Sequence, residues 1–269
     1  MTAREEAEQL FKIIRPYPAP FLYKYGSISS RLLEDVFGKR RIYLSDATKF
    51  NDPFECRPVL TVHHSPLKRK MFLEQITRDR FPNTDKRTLK KLMKGKGRLL
   101  TDPKSLRAVY NGFVSTVGIY CLSEKKDDLL MWSHYSDCHR GLCLEFNTST
   151  ENTLFWEAFK VIYQDDYPTV NIMEIRKAEN FRKALLTKSS HWAYEQEWRI
   201  LKMKAEGGPG YYDFSSELLT GVIFGALMSD GQKKSVVHRI QTYPTKIALY
   251  QAKLNDSRYK LDITEISAA

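Results

Sequence analysis

Apolar residues along the 269-residue chain recur with two distinct spacings. Period-two alternation, the mark of a half-buried strand, runs through "FLYKY" (21–25), "RIYLS" (41–45), "RPVLTVH" (57–63) and "FVSTVGIYCLS" (113–123). It returns in "GLCLEF" (141–146), "FKVIY" (159–163), "YEQEWRILKM" (194–203), "TGVIFG" (220–225), "KIALYQAKL" (246–254) and "YKLDITEI" (259–266). Helical spacing predicts segments over 3–15, from a Ser29 or Ser30 cap to Phe37 with Gly38 as stop, over 171–188 and near 230–241. Two or three helices are expected within 66–110, where Leu89, Leu92 and Met93 fall on one face. "DATKFNDPFE" (46–55) is a loop of turn formers, and "SEKKDDLLMWSHYSD" (123–137) interrupts two strands with a short helical turn. With no repeat, low-complexity tract or linker, the pattern predicts one α+β domain over 1–269 carrying a helical insertion at 66–110.

One strand poses a problem. In "YEQEWRI" (194–200), period two places Glu195, Glu197 and Arg199 on one face and Tyr194, Gln196, Trp198 and Ile200 on the other. The second face suits a core. The first holds two carboxylates about 7 Å apart at the backbone, at ~3.3 Å per residue. Crowding of this kind raises one carboxyl pKa, as a general base requires. The plainer reading pairs them with Arg199 or a cross-strand Lys.

Charge adds a second feature. The net charge is +11, and residues Pro66–Arg107 hold fourteen Lys or Arg against four acids, so nearly all of the excess lies there. Such a segment is either a solvated insertion or the footprint of a polyanion partner, RNA or DNA, with Lys68, Arg69, Lys70, Lys86, Arg87, Lys90, Lys91 and Lys94 as contacts. The longest apolar run, "GVIFGALM" (221–228), is too short to cross a bilayer. The charged start lacks a signal-peptide core, and four scattered cysteines make no disulfide framework. A cytoplasmic protein with no membrane partner is expected.

Most familiar chemistries are absent from the sequence. "EGGPG" (206–210) lacks the Lys-Ser/Thr of a phosphate loop and reads as a turn. His134, Cys138, His139 and Cys143 match no common zinc spacing, so no metal site is expected from them. "FNDPFE" taken alone is an Asx-type turn, and Trp132 with Tyr135 is a helix face packed on a sheet.

Taken in order, "LYKYGS", "RIYLSDATKFNDPFE", "YCLSEKKDDLLMWSHYSDCHRGLCLEF", "V-x-Y" (161–163) and "YEQEWRI" resemble a bacterial family of unknown function with F-N-D-P-x-E, M-W-S-H-Y and E-x-E-W-R signatures, over roughly 21–225. The layout of "LYKY", a helix, a strand ending in Ser and a late Glu-x-Glu strand also resembles ADP-ribosyltransferases, with Lys24 where those enzymes carry His. That resemblance implies a bent or split, antiparallel-rich sheet and NAD⁺ as cosubstrate. It implies Glu197 as the carboxylate bonding the ribose, with Glu195 acting on the acceptor. It also implies a cleft built from Tyr23, Lys24, Tyr25, Asn51, Asp52, Ser123, Trp132, His134, Tyr135 and Arg199. The function so implied is a toxin or anti-phage defence effector that modifies nucleic acid or protein, with an antitoxin or regulatory protein as possible partner. Two alternatives stay open: a nuclease holding Mg²⁺ through Asp52, Glu55, Glu145, Glu195 and Glu197, and a non-enzymatic nucleic-acid-binding defence protein.

Overall fold

A computed structural model describes residues 19–151, 153–175 and 177–266; the helix expected over 3–15 lies outside them. Strand β1 (Phe21–Gly26) leads to the short helix α1 (Ser30–Leu32), where the Ser29 side chain accepts from the Leu32 N–H and the chain continues as π-helical turns over Leu33–Gly38. Strands β2 (Arg41–Asp46) and β3 (Val59–Thr61) follow. The basic segment then forms α2 (Pro66–Arg80), α3 (Lys86–Met93), a 3₁₀ turn over Lys96–Leu100, and α4 (Pro103–Val114). Two of its four acids, Asp85 and Asp102, serve the helices locally, accepting backbone N–H groups as N-caps of α3 and α4.

The chain continues through β4 (Gly118–Ser123), α5 (Leu129–Tyr135), β5 (Leu142–Asn147), β6 (Phe159–Lys160), β7 (Ile162–Gln164) and β8 (Thr169–Asn171). It ends with α6 (Ala178–Leu185), β9 (Thr187–Ser189), β10 (Glu197–Lys202), β11 (Gly210–Asp213), β12 (Leu219–Phe224), α7 (Asp230–Ile240), β13 (Ala248–Leu254) and β14 (Leu261–Ile266). The fold is α+β. Its large sheet has the order β11-β2-β4-β1-β5-β12-β13-β14, with β10 added to β4 and β6 to β10. Among the described residues, β12–β13 is the one parallel pair in this sheet; β3–β8 and β7–β9 are separate parallel pairs.

The sheet forks at β4. One edge of β4 pairs along its length with β10, from Ser123↔Glu197 to Gly118↔Lys202. The other edge is shared: β2 takes Gly118 and Ile119, while β1 meets it only at Tyr23↔Ser123. One core, with Leu22, Leu144, Phe146, Trp198 and Ile200, lies under the β1–β5 side of the fork. A second, with Leu73, Leu106, Tyr110, Val117, Ile119, Leu185 and Leu201, joins the insertion helices to the β4–β10 end.

Several sequence expectations are corrected. Residues 171–188 are not one helix: Asn171 caps a 3₁₀ turn, α6 spans only Ala178–Leu185, and Lys188 lies in β9. Phe181 and Leu185, four apart, give helical spacing there, but pairing of β9 with β7 decides the conformation beyond α6. "FKVIY" divides between β6 and β7, which belong to different sheets. Phe113 and Val114 complete α4 rather than open β4. "YEQEWRI" is also no continuous strand. Ser190–Glu195 is a 3₁₀ turn capped by Ser189, and Gln196 takes the left-handed conformation at φ 42° before β10 begins.

Candidate active site

Glu197 opens β10 opposite Ser123, which itself stands opposite Tyr23 of β1. Directly paired residues share a sheet face, so three adjacent strands present Tyr23, Ser123 and Glu197 as one row. The left-handed Gln196 swings Glu195 back toward the same point. Its carboxylate therefore meets that of Glu197 through a turn rather than through strand pleating.

What joins them is Lys188, from the centre of β9. Its Nζ lies 2.8 Å from Glu55 Oε1, 2.5 Å from Glu195 Oε2 and 3.1 Å from Glu197 Oε2. Arg199 completes the cluster. Its Nε and Nη2 lie 2.7 and 2.9 Å from the two oxygens of Glu197, Nη2 lies 2.7 Å from Glu55 Oε2, and Nη1 donates to Leu185 O. Exposure is 0% for Arg199, 3% for Glu195 and for Glu197, and 5% for Lys188, so three carboxylates face two cations away from bulk water. The cluster carries one excess negative charge.

Its members divide this charge unequally. Burial alone would raise the Glu197 carboxyl, but Arg199 and Lys188 outweigh it and hold Glu197 at about 2. For Glu195 burial wins: its carboxyl is raised despite Lys188, and the neighbouring Glu197 charge adds to the rise. Burial would discharge Lys188, yet the three surrounding carboxylates keep it firmly protonated. Hydrogen bonding separates the two glutamates further. Glu197 accepts twice from Arg199 and once from Lys188, and its backbone N–H donates to the Tyr163 hydroxyl. Glu195 accepts from Lys188 through one oxygen and from the Tyr135 hydroxyl, at 2.7 Å, through the other, leaving more lone pairs free.

The cluster floors a pocket of about 170 Å³ whose walls include Tyr23, Lys24, Tyr25, Asn51, Met131 and Tyr135. A larger cleft of about 760 Å³ shares Asn51 and Lys188 with it. Among the residues singled out by sequence, Tyr23, Lys24, Tyr25, Asn51, Tyr135, Glu195 and Glu197 therefore meet at one pocket. Asp52 lines the larger cleft and accepts from Trp192 Nε1 at 2.7 Å.

Other positions differ from expectation. Trp132 is fully buried in the core beside Tyr25 and His139, with Nε1 donating to Lys126 O, so its ring faces no ligand. Arg199 has no exposed surface and acts only through Glu55 and Glu197. The Ser123 hydroxyl donates to Glu195 O and accepts from the Lys125 N–H, which makes it a brace for the turn. His134 points outward from α5 and is exposed. In the basic segment, Arg69 donates to His64 O and Val62 O and so ties α2 to the end of β3. Lys68, Lys70, Lys86, Arg87, Lys90, Lys91 and Lys94 are exposed.

Lys188 is the residue of this cluster that sequence reasoning missed. It was hidden in a stretch read as helix, and no local pattern marks a lysine that Glu195, Glu197 and the distant Glu55 surround. The metal-nuclease alternative also loses its ligand set. Glu145 accepts from Thr220 and Tyr23, Asp52 is on Trp192, and the other three carboxylates are bridged by Lys188. Among the described residues no group of three or more His, Cys, Asp or Glu is arranged to hold a metal ion, and no helix is long and apolar enough to cross a membrane.

No curated protein and no solved structure matches the chain. A family model described as a protein of unknown function (DUF2971) matches residues 131–200, the stretch running from α5 through β10 that supplies Tyr135, Lys188, Glu195, Glu197 and Arg199.

Proposed function

We propose that the smaller pocket is the reaction centre of an NAD⁺-consuming ADP-ribosyltransferase or glycohydrolase. The observation that carries this reading is the cluster of three carboxylates and two cations at the base of the pocket, one carboxylate in excess, with the side chains shielded from water. Cleavage of the bond between nicotinamide and ribose leaves positive charge on the sugar carbon. A preorganised anionic floor stabilises that charge more in the transition state than in the ground state. The row formed by Tyr23, Ser123 and Glu197 on adjacent strands supports the same reading, since the resemblance calls for residues from an early, a middle and a late strand at one site.

The geometry favours an exchange of the roles expected from the resemblance. Glu197 is held charged and nearly saturated with donors, which suits a positioning residue. Glu195, with its raised carboxyl and free lone pairs, is the better catalytic residue. As the C1′–N bond breaks, its electron pair leaves with nicotinamide. The acceptor's lone pair then forms the new bond to C1′, and the acceptor's proton passes to Glu195.

The test is nicotinamide release from NAD⁺ by the full chain and by Glu195→Gln. That substitution leaves two carboxylates against two cations, so the fold is expected to persist while turnover falls by roughly 10² or more. Absence of nicotinamide release by the folded native protein, with or without nucleic-acid or protein acceptors, overturns the reading. An unchanged rate in Glu195→Gln overturns the assignment of Glu195.

A further inference from the structure

The larger cleft has a composition that the reaction centre does not explain. Phe54 and Tyr167, 64% and 43% exposed, line it together with Trp192. Exposed aromatic rings gathered on one cleft form a patch of the kind that marks a binding surface. Trp192 stands between the two cavities. Asp52 holds its Nε1, and the Lys188 ammonium that floors the reaction centre lies 5.0 Å from its ring centroid.

One rim is cationic. Arg57 lines the cleft, and Arg107 of α4 donates to Pro58 O at 2.7 Å while its Nη1 is buried with no hydrogen-bond partner. Burial lowers the Arg107 pKa; Tyr110 opposes this, but the nearby Arg57 charge adds to the lowering. Arg57 is the guanidinium on the cleft wall that an anion can reach, and the charge of the nearby, partly buried Arg107 adds to the positive potential there.

The rim is also the root of the basic insertion. The Val59 N–H donates to Pro168 O, closing the β3–β8 pair, and Arg69 of α2 grips Val62 at the other end of β3. From Arg57 to Val62 is therefore about 16 Å along the chain, at ~3.3 Å per residue. Lys104, one turn before Arg107 on α4, continues the cationic line.

We propose that the larger cleft binds a nucleotide of single-stranded nucleic acid, with the base among Phe54, Tyr167 and Trp192, one phosphate at Arg57, and the strand continuing over α2–α4. Asp165 and Asp166 also line the cleft. Carboxylates there accept from the N–H groups of a base and repel phosphate, which sets the base inward and the phosphate at the arginine rim. A dinucleotide such as NAD⁺ carries only two phosphates, whereas the insertion offers an excess of ten positive charges, so a polymer is the better complement. As an acceptor site for ADP-ribosyl transfer the cleft rests on the function proposed above; as a binding site it does not.

Binding of labelled single-stranded RNA, single-stranded DNA and duplex of one sequence, measured without NAD⁺ across a salt series, tests this. Phe54 and Arg57 are exposed, so Phe54→Ala and Arg57→Gln are expected to melt like the native protein. Phe54→Ala should weaken single-strand binding roughly tenfold with the salt slope unchanged, as loss of a stacking contact does. Arg57→Gln should make the slope of log affinity against log salt shallower by about 0.7, the share of one phosphate. The proposal is overturned if both variants bind single strands as the native protein does, or if duplex binds as tightly and is indifferent to Phe54→Ala. It is equally overturned if the variants raise the KM for NAD⁺ while oligonucleotide binding stays intact, since the cleft then holds the adenine end of the dinucleotide. Single-strand binding without nicotinamide release keeps the cleft and removes the transferase reading; release with no effect of either variant on binding does the reverse.

Discussion

The five charges around Lys188 and the fourteen Lys and Arg of Pro66–Arg107 use the same residue chemistry under opposite conditions. In the first region the side chains are almost fully buried, and each charge is held by two or more partners. In the second, most side chains stand in water, where a charge costs almost nothing to keep and contributes almost nothing to the fold. Burial multiplies every electrostatic term. A dry cluster is therefore structurally unforgiving and able to shape a reaction, while a wet one is structurally neutral and free to meet a partner.

The largest effect is expected from Arg199→Met. Removal of the guanidinium leaves Glu197 and Glu55 buried with Lys188 as their remaining cation, at a cost of about 3–5 kcal/mol, the range for breaking a buried pair. Urea unfolding checks it. A loss under ~1 kcal/mol would mean that the cluster is hydrated like the insertion and would erase the contrast.

Acid sharpens the contrast next. Glu197 is held at about 2, below its ordinary 4.5. The stability it contributes is fully present above the ordinary value and is lost as pH falls toward 2, on the order of 3 kcal/mol. Glu195 has the opposite sign. Its carboxyl is raised, so its contribution is present below the ordinary carboxyl value and fades as pH rises through the range above it. Unfolding midpoints from pH 2 to 8 should show a shallower acid limb in Glu197→Gln, while Glu195→Gln should lose the decline on the other side. Identical profiles in the two variants would contradict the unequal division of charge.

Smaller effects belong to the insertion. Asp85 accepts the Arg87 and Thr88 N–H groups, so Asp85→Ala should cost about 1 kcal/mol in urea unfolding by loss of the α3 cap. Joint replacement of Lys90, Lys91 and Lys94 by Gln should change stability by less than ~0.5 kcal/mol, because all three are exposed. The same variant should bind nucleic acid with a shallower salt slope than the native protein. A large stability loss there would show that the insertion depends on its charges for folding.

The sequence by itself determined most of the β-rich stretches and the helical character of the basic segment. These depend on neighbours a few residues apart: alternation in "RIYLS" and "GLCLEF", the Ser29 cap, and helical spacing around Leu89. It also placed Glu195 and Glu197 together, though for the wrong local reason, since a left-handed Gln196 rather than a pleat aligns them. Only the tertiary structure decided that Trp132 is core and Arg199 is internal, because burial depends on what packs over a side chain. It alone brought Lys188 and Glu55 to the pair, from 7 and 140 residues before Glu195. No spacing rule reaches from Glu55 to Glu195, and the seven residues from Lys188 to Glu195 pass from β9 through a 3₁₀ turn, so no single period spans them. A charge partner chosen through folding leaves no periodic trace in the chain, and the opposite pKa shifts of the two glutamates follow from burial together with Arg199 and Lys188.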